Sequence, residues 1–209
     1  MQTSHQKPAI ILIHEIYGIN DHMKSVIQHF ELAGFHVYCP HLLGRVKYFD
    51  DDREDDAYRY FMNEVGFERS INTVLHLAKE IKTKDEDINL FVLGFSVGAT
   101  VAWLCSQHGD LFSGVIGFYG SRIRDYVTIS PECETMLFFP AIENSFHPKE
   151  MVKVLEGKHG LHVMTVEGRH GFSNPYSEAF EESSRDRCFQ KMSEFIKANS
   201  NRDRLAERI

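Results

Sequence analysis

Ile88-Asn89-Leu90-Phe91-Val92-Leu93-Gly94-Phe95-Ser96-Val97-Gly98-Ala99-Thr100-Val101-Ala102 carries more structural information than any other stretch of this chain. It opens on a short apolar run of strand length, Ile88 to Leu93, and closes on a helix candidate, Val97 to Cys105. Between them lies Gly94-Phe95-Ser96-Val97-Gly98, which matches Gly-x-Ser-x-Gly. Glycines on either side of the serine let the backbone pack around a strained strand-to-helix turn, so the hydroxyl stands clear of the sheet. The pentapeptide alone is a common pattern. Its place between a buried strand and a helix makes Ser96 a candidate nucleophile.

Working outward, short apolar runs alternate with amphipathic stretches. Strands are expected at Pro8–Ile13, His36–Pro40, Ile88–Leu93, Gly114–Tyr119, Thr135–Phe139 and Leu161–Val166. Helices are expected at His22–Ala33, at Ala57–Ile81 with a bend or break at Gly66, at Pro148 to about Glu156, and at Glu178–Ala198. Residues from Asn199 onward are polar and are expected to fray. The alternation predicts an α/β fold: a mostly parallel sheet of about six or seven strands, helices on both faces, no separate cap. With 209 residues and no linker-like segment, the chain reads as one domain over residues 1–209. Such sheets place their sites beyond the carboxyl ends of the strands.

A serine needs a base. Of twelve histidines, His170 alone follows the last strand between glycines, in Gly168-Arg169-His170-Gly171-Phe172. The third member orients the imidazole and should lie between Ser96 and His170, after another strand. Glu143 is the acid in residues 140–147, and Asp125 after strand 114–119 is the alternative. The order Ser96, Glu143, His170 is that of α/β-hydrolases. An oxyanion formed on attack needs preorganised donors. Those expected are the backbone N–H groups of Val97, at a helix N-terminus, and of Ile16, in the loop after the first strand.

Bulk properties exclude other classes. A net charge of −7 argues against broad attraction to nucleic acid or anionic membrane. No apolar run reaches the roughly 18 residues a transmembrane helix needs, and Met1 to Lys7 lacks the apolar core of a secretory signal. Cys39, Cys105, Cys133 and Cys188 form no metal-ligand or redox spacing, as expected of reduced thiols in a cytoplasmic protein with no metal or cofactor. Neither phosphate-binding glycine pattern follows a strand, which disfavours a nucleotide-binding domain. The acidic run Asp50 to Asp56 lacks calcium-loop spacing and reads as a solvated loop.

Taken together, His14-Glu15-Ile16-Tyr17-Gly18-Ile19-Asn20, Cys39-Pro40-His41-Leu42-Leu43-Gly44-Arg45, Gly94 to Gly98, Gly117-Phe118-Tyr119-Gly120 and Gly168 to Phe172 resemble the dienelactone hydrolase family through nearly the whole chain. The resemblance implies a carboxylic-ester or lactone hydrolase, carboxymethylenebutenolidase-like, acting on a small molecule. It also implies that Glu15 is the family's extra carboxylate, placed to influence the nucleophile's protonation. The chain departs from the family pattern at four points. Ser96 replaces the usual cysteine, and Glu143 replaces the usual Asp. Glu54 (with Arg53 one residue off) and Asn174 stand where arginines hold a substrate carboxylate. The usual N-terminal antiparallel strands have no counterpart before strand 9–13. Arg45, Arg122 or Arg124 could form a different anion site, and Tyr17, Tyr58, Phe61 and Tyr119 an apolar pocket. The first expectation is therefore an esterase acting through an acyl-enzyme, as a monomer or homodimer. The alternative is a weak or inactive hydrolase fold used for binding or regulation.

Overall fold

The computed structural model describes residues 7–46 and 48–200. Six strands form one sheet: β1 (Ala9–Ile13), β2 (His36–Tyr38), β3 (Leu90–Phe95), β4 (Gly114–Phe118), β5 (Thr135–Pro140) and β6 (Leu161–Val166). Their order is β2-β1-β3-β4-β5-β6 and every pairing is parallel. Strand order reverses at β1, which lies between β2 and β3. The crevice beyond the carboxyl ends of β1 and β3 is thus the position at which such sheets bind ligands.

The helices are α1 (Asp21–Leu32), α2 (Glu54–Tyr60), α3 (Phe67–Lys84), α4 (Val97–Cys105), α5 (Pro148–Leu155) and α6 (Glu182–Asn199). Asn20 caps α1, its Oδ1 accepting the Met23 N–H at 3.1 Å, and Gly34 ends it at a φ of 91°. Alternate strand residues face opposite layers. On one side Ile11, Ile13, Leu90 and Val92 meet Val74, Ala78 and Ile81 of α3 and Val97 and Val101 of α4. On the other, Ile10, Leu12, Phe91, Leu93 and Phe95 meet Met23, Val26 and Phe30 of α1 and Cys188, Met192 and Phe195 of α6. Each large side chain fully buried here contributes about 1.5–3 kcal/mol. All nine residues of α4 are buried, so Ser96 is mounted on the most enclosed helix among the described residues.

Several boundaries differ from expectation. β3 runs to Phe95 because Gly94 and Phe95 continue the ladder opposite Gly117 and Phe118, which puts Ser96 directly at the strand's end. The long segment 57–81 is divided at Gly66, whose N–H donates to Phe61 O at 2.7 Å, closing a π-helical turn at a φ of 72°. α6 starts at Glu182 because residues 171–181 are taken up by successive turns around Asn174, Pro175 and Ser177. Asn199 does not fray: it ends α6, is 5% exposed, and donates through Nδ2 to Phe195 O at 2.8 Å. The rest of the expected tail, from residue 201, lies outside the described residues.

Candidate active site

Ser96 follows the last residue of β3 with a φ of 55° and a ψ of −118°, a combination costly for any residue with a Cβ. The two glycines are needed for separate reasons. A Cβ on Gly94 would lie 2.1 Å from Gly98 O. One on Gly98 would lie 2.4 Å from Ile13 O and 2.7 Å from His14 O. The turn therefore closes on itself through Gly94 and presses against the end of β1 through Gly98. That second contact sets the loop 14–18 beside Ser96.

Ser96, His170 and Glu143 come together from three loops. His170 Nε2 lies 2.9 Å from Ser96 Oγ, and Nδ1 lies 2.9 Å from Glu143 Oε2. With the proton on Nδ1, the ring donates to Glu143 and accepts from the serine hydroxyl. The other Glu143 oxygen accepts from Asn144 N at 3.0 Å, Ser145 N at 3.4 Å and Ser145 Oγ at 3.2 Å. Burial favours the neutral acid, but the bonds and charge from His170 and Ser145 outweigh it, so the Glu143 carboxyl sits below its ordinary value. Asp125, the alternative acid, is paired instead with Arg122, Nε to Oδ2 at 2.8 Å. Val97 opens α4, so its N–H has no acceptor within the helix.

Two other expected site residues, Glu15 and Tyr119, lie beside His170 without a hydrogen bond to Ser96. Glu15 is 4% exposed, and neither carboxylate oxygen bonds to Ser96. Oε1 accepts from Tyr119 Oη at 2.9 Å and Oε2 lies 3.5 Å from His22 Nδ1. Burial pulls the Glu15 carboxyl upward, yet His22, Tyr119 and the charge of His170 bring it below its ordinary value. Tyr119 does not line an open pocket. It is fully buried with a φ of 44°, its ring centroid 5.0 Å from that of His170, and its hydroxyl accepts from Ser173 Oγ at 3.2 Å. Burial, then the Glu15 charge, raises its phenol well above the usual value, so it stays a donor. The pair thus forms a floor under His170.

Phe61 is fully buried core, Tyr17 is half-buried against the same core, and Tyr58 is 37% exposed on α2. Arg124 donates to Ser121 O at 2.6 Å and lies over Phe146, Arg122 pairs with Asp125, and Arg45 is exposed. Asn174 is buried and its Oδ1 accepts the Tyr176 N–H at 2.9 Å, while Arg53 pairs with Asp56 at the surface. His22 and Ser173 were not expected at the site; no spacing marks them, and their position depends on where the chain folds back, while His14 was expected only as part of the loop after the first strand, with no role of its own. All four cysteines are free, and burial holds each thiol up at about 12, which makes them poor nucleophiles. No helix among the described residues is long and apolar enough to cross a membrane.

Comparison with known proteins matches the dienelactone hydrolase family model to residues 1–200. The uncharacterized protein YczH of Bacillus subtilis is 38% identical over 176 residues, covering 83% of this chain and 85% of that protein. A putative carboxymethylenebutenolidase of Escherichia coli (strain K12) is 22% identical over 212 residues, covering 91% of this chain and 76% of that protein. The crystal structure of a putative dienelactone hydrolase from Klebsiella pneumoniae shares the fold with a TM-score of 0.78 at 17% identity, over 94% of this chain and 89% of that one. A dienelactone hydrolase-like promiscuous phosphotriesterase from metagenomic libraries does so with a TM-score of 0.73 at 16% identity, over 93% and 87%. With its six-stranded parallel sheet and a family match over almost its full length, the chain belongs to the dienelactone hydrolase family of hydrolases.

Proposed function

We propose that this protein is a serine esterase that opens an ester or lactone bond of a small, uncharged substrate through an acyl-enzyme on Ser96. One observation carries the reading: the unbroken hydrogen-bonded relay Glu143–His170–Ser96, with both links at 2.9 Å. Ser96 Oγ attacks the substrate carbonyl carbon while its proton passes to His170 Nε2. Glu143 holds the ring and stabilises the imidazolium. The carbonyl oxygen, now an anion, is met by the N–H groups of Val97 and Ile16. His170 returns the proton to the leaving oxygen as the carbon–oxygen bond breaks. Water then enters and attacks the acyl carbon as its proton passes to His170, and His170 returns that proton to Ser96 Oγ as the acyl carbon–Oγ bond breaks, releasing the acid and the free serine.

The uncharged substrate follows from Asn174 and Glu54 at the positions where family resemblance would put carboxylate-binding arginines. Asn174 is committed to its own loop and Glu54 is an acid, so neither offers the paired cationic donors a carboxylate needs. Residues 1–209 acting as one cytoplasmic domain, as monomer or homodimer, complete the proposal.

A panel of p-nitrophenyl esters of short neutral acids, with carboxylate-bearing analogues alongside, tests it. Turnover should favour the neutral esters and vanish in Ser96→Ala. An unchanged rate in that variant overturns the mechanism. Fluorophosphonate should label Ser96 stoichiometrically; a protein that neither labels nor turns over supports the alternative of a hydrolase fold used for binding. Because a structural neighbour is a promiscuous phosphotriesterase, an aryl phosphotriester belongs in the same panel.

A further inference from the structure

The peptide unit joining Glu15 to Ile16 has a feature that the proposed chemistry does not itself require. In a trans peptide the carbonyl oxygen and the following N–H lie in one plane and point in opposite directions. Whatever holds Glu15 O therefore also aims the Ile16 N–H. Two donors hold it: His14 Nδ1 at 2.6 Å and the Gly18 N–H at 3.2 Å. His14 is fully buried. Its other nitrogen, Nε2, accepts the Leu42 N–H at 3.0 Å. An imidazole that accepts at Nε2 while neutral must carry its proton on Nδ1. The Leu42 amide thus fixes the tautomer that donates to Glu15 O. Burial, the largest influence, lowers the His14 pKa to about 4, which keeps this neutral form through the working pH range. Beneath the same loop, Gly98 abuts Ile13 O and His14 O, so the backbone that leads into this peptide is packed against the nucleophile turn.

We infer that His14 is a positioning residue for oxyanion stabilisation: bonded to Leu42 N–H and to Glu15 O, it orients the Glu15–Ile16 peptide so that the Ile16 N–H meets the developing anion. This rests on the reading of Ile16 as an oxyanion donor. The bond to Glu15 O also polarises the amide, which strengthens the N–H as a donor.

Two isosteric half-replacements separate the bonds. The side-chain amide nitrogen of His14→Asn falls near the position of Nδ1 and can still donate to Glu15 O. The amide oxygen of His14→Gln reaches the position of Nε2 and can still accept from Leu42, but donation to Glu15 O is lost. With p-nitrophenyl acetate, His14→Gln should lower kcat about 10- to 100-fold with KM within about twofold, and should weaken inhibition by an arylboronic acid in proportion. His14→Asn should stay within about threefold of the wild type in kcat, as expected of a small positional change. Equal losses in both variants, or none in either, overturn the inference. A second readout does not depend on turnover: the Ile16 amide proton resonance in 1H–15N spectra should move in His14→Gln and hold in His14→Asn. Equal movement in both overturns the positioning role whether or not Ser96 is a nucleophile. An undiminished rate in Ser96→Ala instead overturns the esterase reading and leaves the amide comparison to stand or fall alone.

Discussion

Replacing Ser96 by Ala and, separately, by Gly divides backbone strain from chemistry. Both changes remove Oγ and its bond to His170, so both should abolish turnover. They differ in the Cβ. Ser96 sits at a φ of 55° and a ψ of −118°, where a Cβ-bearing residue carries strain of about 1–3 kcal/mol. Ala keeps that strain and Gly releases it. Against the release stands the extra freedom glycine brings to the unfolded chain, about 0.5–1 kcal/mol. At mid-range values, Ser96→Gly comes out more stable than Ser96→Ala by about 1 kcal/mol. For a chain of this size that is about 2–4 °C in Tm. Paired urea and thermal melts of the two variants measure the difference directly, and the lost hydrogen bond cancels between them. A glycine variant that melts with or below the alanine variant would refute the view that this turn stores strain to present its hydroxyl.

Gly98→Ala should destabilise by about 1–3 kcal/mol and abolish esterase activity, because the new Cβ would meet the carbonyls of Ile13 and His14 rather than a movable side chain; a urea midpoint and rate like those of the wild type would contradict the clamp. Glu143→Gln should lower kcat by about 10³–10⁴-fold with little change in KM, because an amide nitrogen facing Nδ1 favours the wrong tautomer; steady-state kinetics settle it, and a loss below tenfold would leave Glu143 no orienting role. His14 gives a pH prediction. Its folded pKa of about 4 lies below the 6.5 of a free imidazole, so between those values the unfolded chain binds a proton that the folded chain does not. Stability from this group is complete above the window and is lost as pH falls through it, about 3 kcal/mol in all and about 2 kcal/mol between pH 7 and pH 5. The stability gap between wild type and His14→Asn, from urea melts, should narrow by that amount over the same two pH points, and a constant gap would count against a neutral buried ring.

The sheet was legible because its central strands β1, β3 and β4 are short apolar runs buried along their whole length, and burial of that kind leaves a mark on composition, while the edge strands β2 and β6 are partly exposed. Element ends were less legible. Gly94 and Phe95 look like turn residues, yet β4 offers them ladder partners. Asn199 looks like tail, yet its side chain bonds back to Phe195 O. Chain order left both Glu143 and Asp125 open, since each follows a strand between Ser96 and His170, and nothing in the sequence records that Asp125 is held by Arg122 three residues away.

The sequence by itself determined the architecture, the candidate nucleophile, the base and the order in which they occur, because these depend on local periodicity and on glycines at fixed offsets. Tertiary structure alone decided what Tyr119, Glu15 and His14 do. Tyr119 reads as a pocket aromatic, but a left-handed backbone turns it inward beneath His170. Glu15 reads by resemblance as a carboxylate beside the nucleophile, and the structure gives its oxygens to Tyr119 and His22. The physical reason is shared: a buried polar group must find its partners in space, and Glu15 meets Tyr119 from 104 residues away while His14 meets Leu42 from 28 residues away, separations that no local pattern encodes.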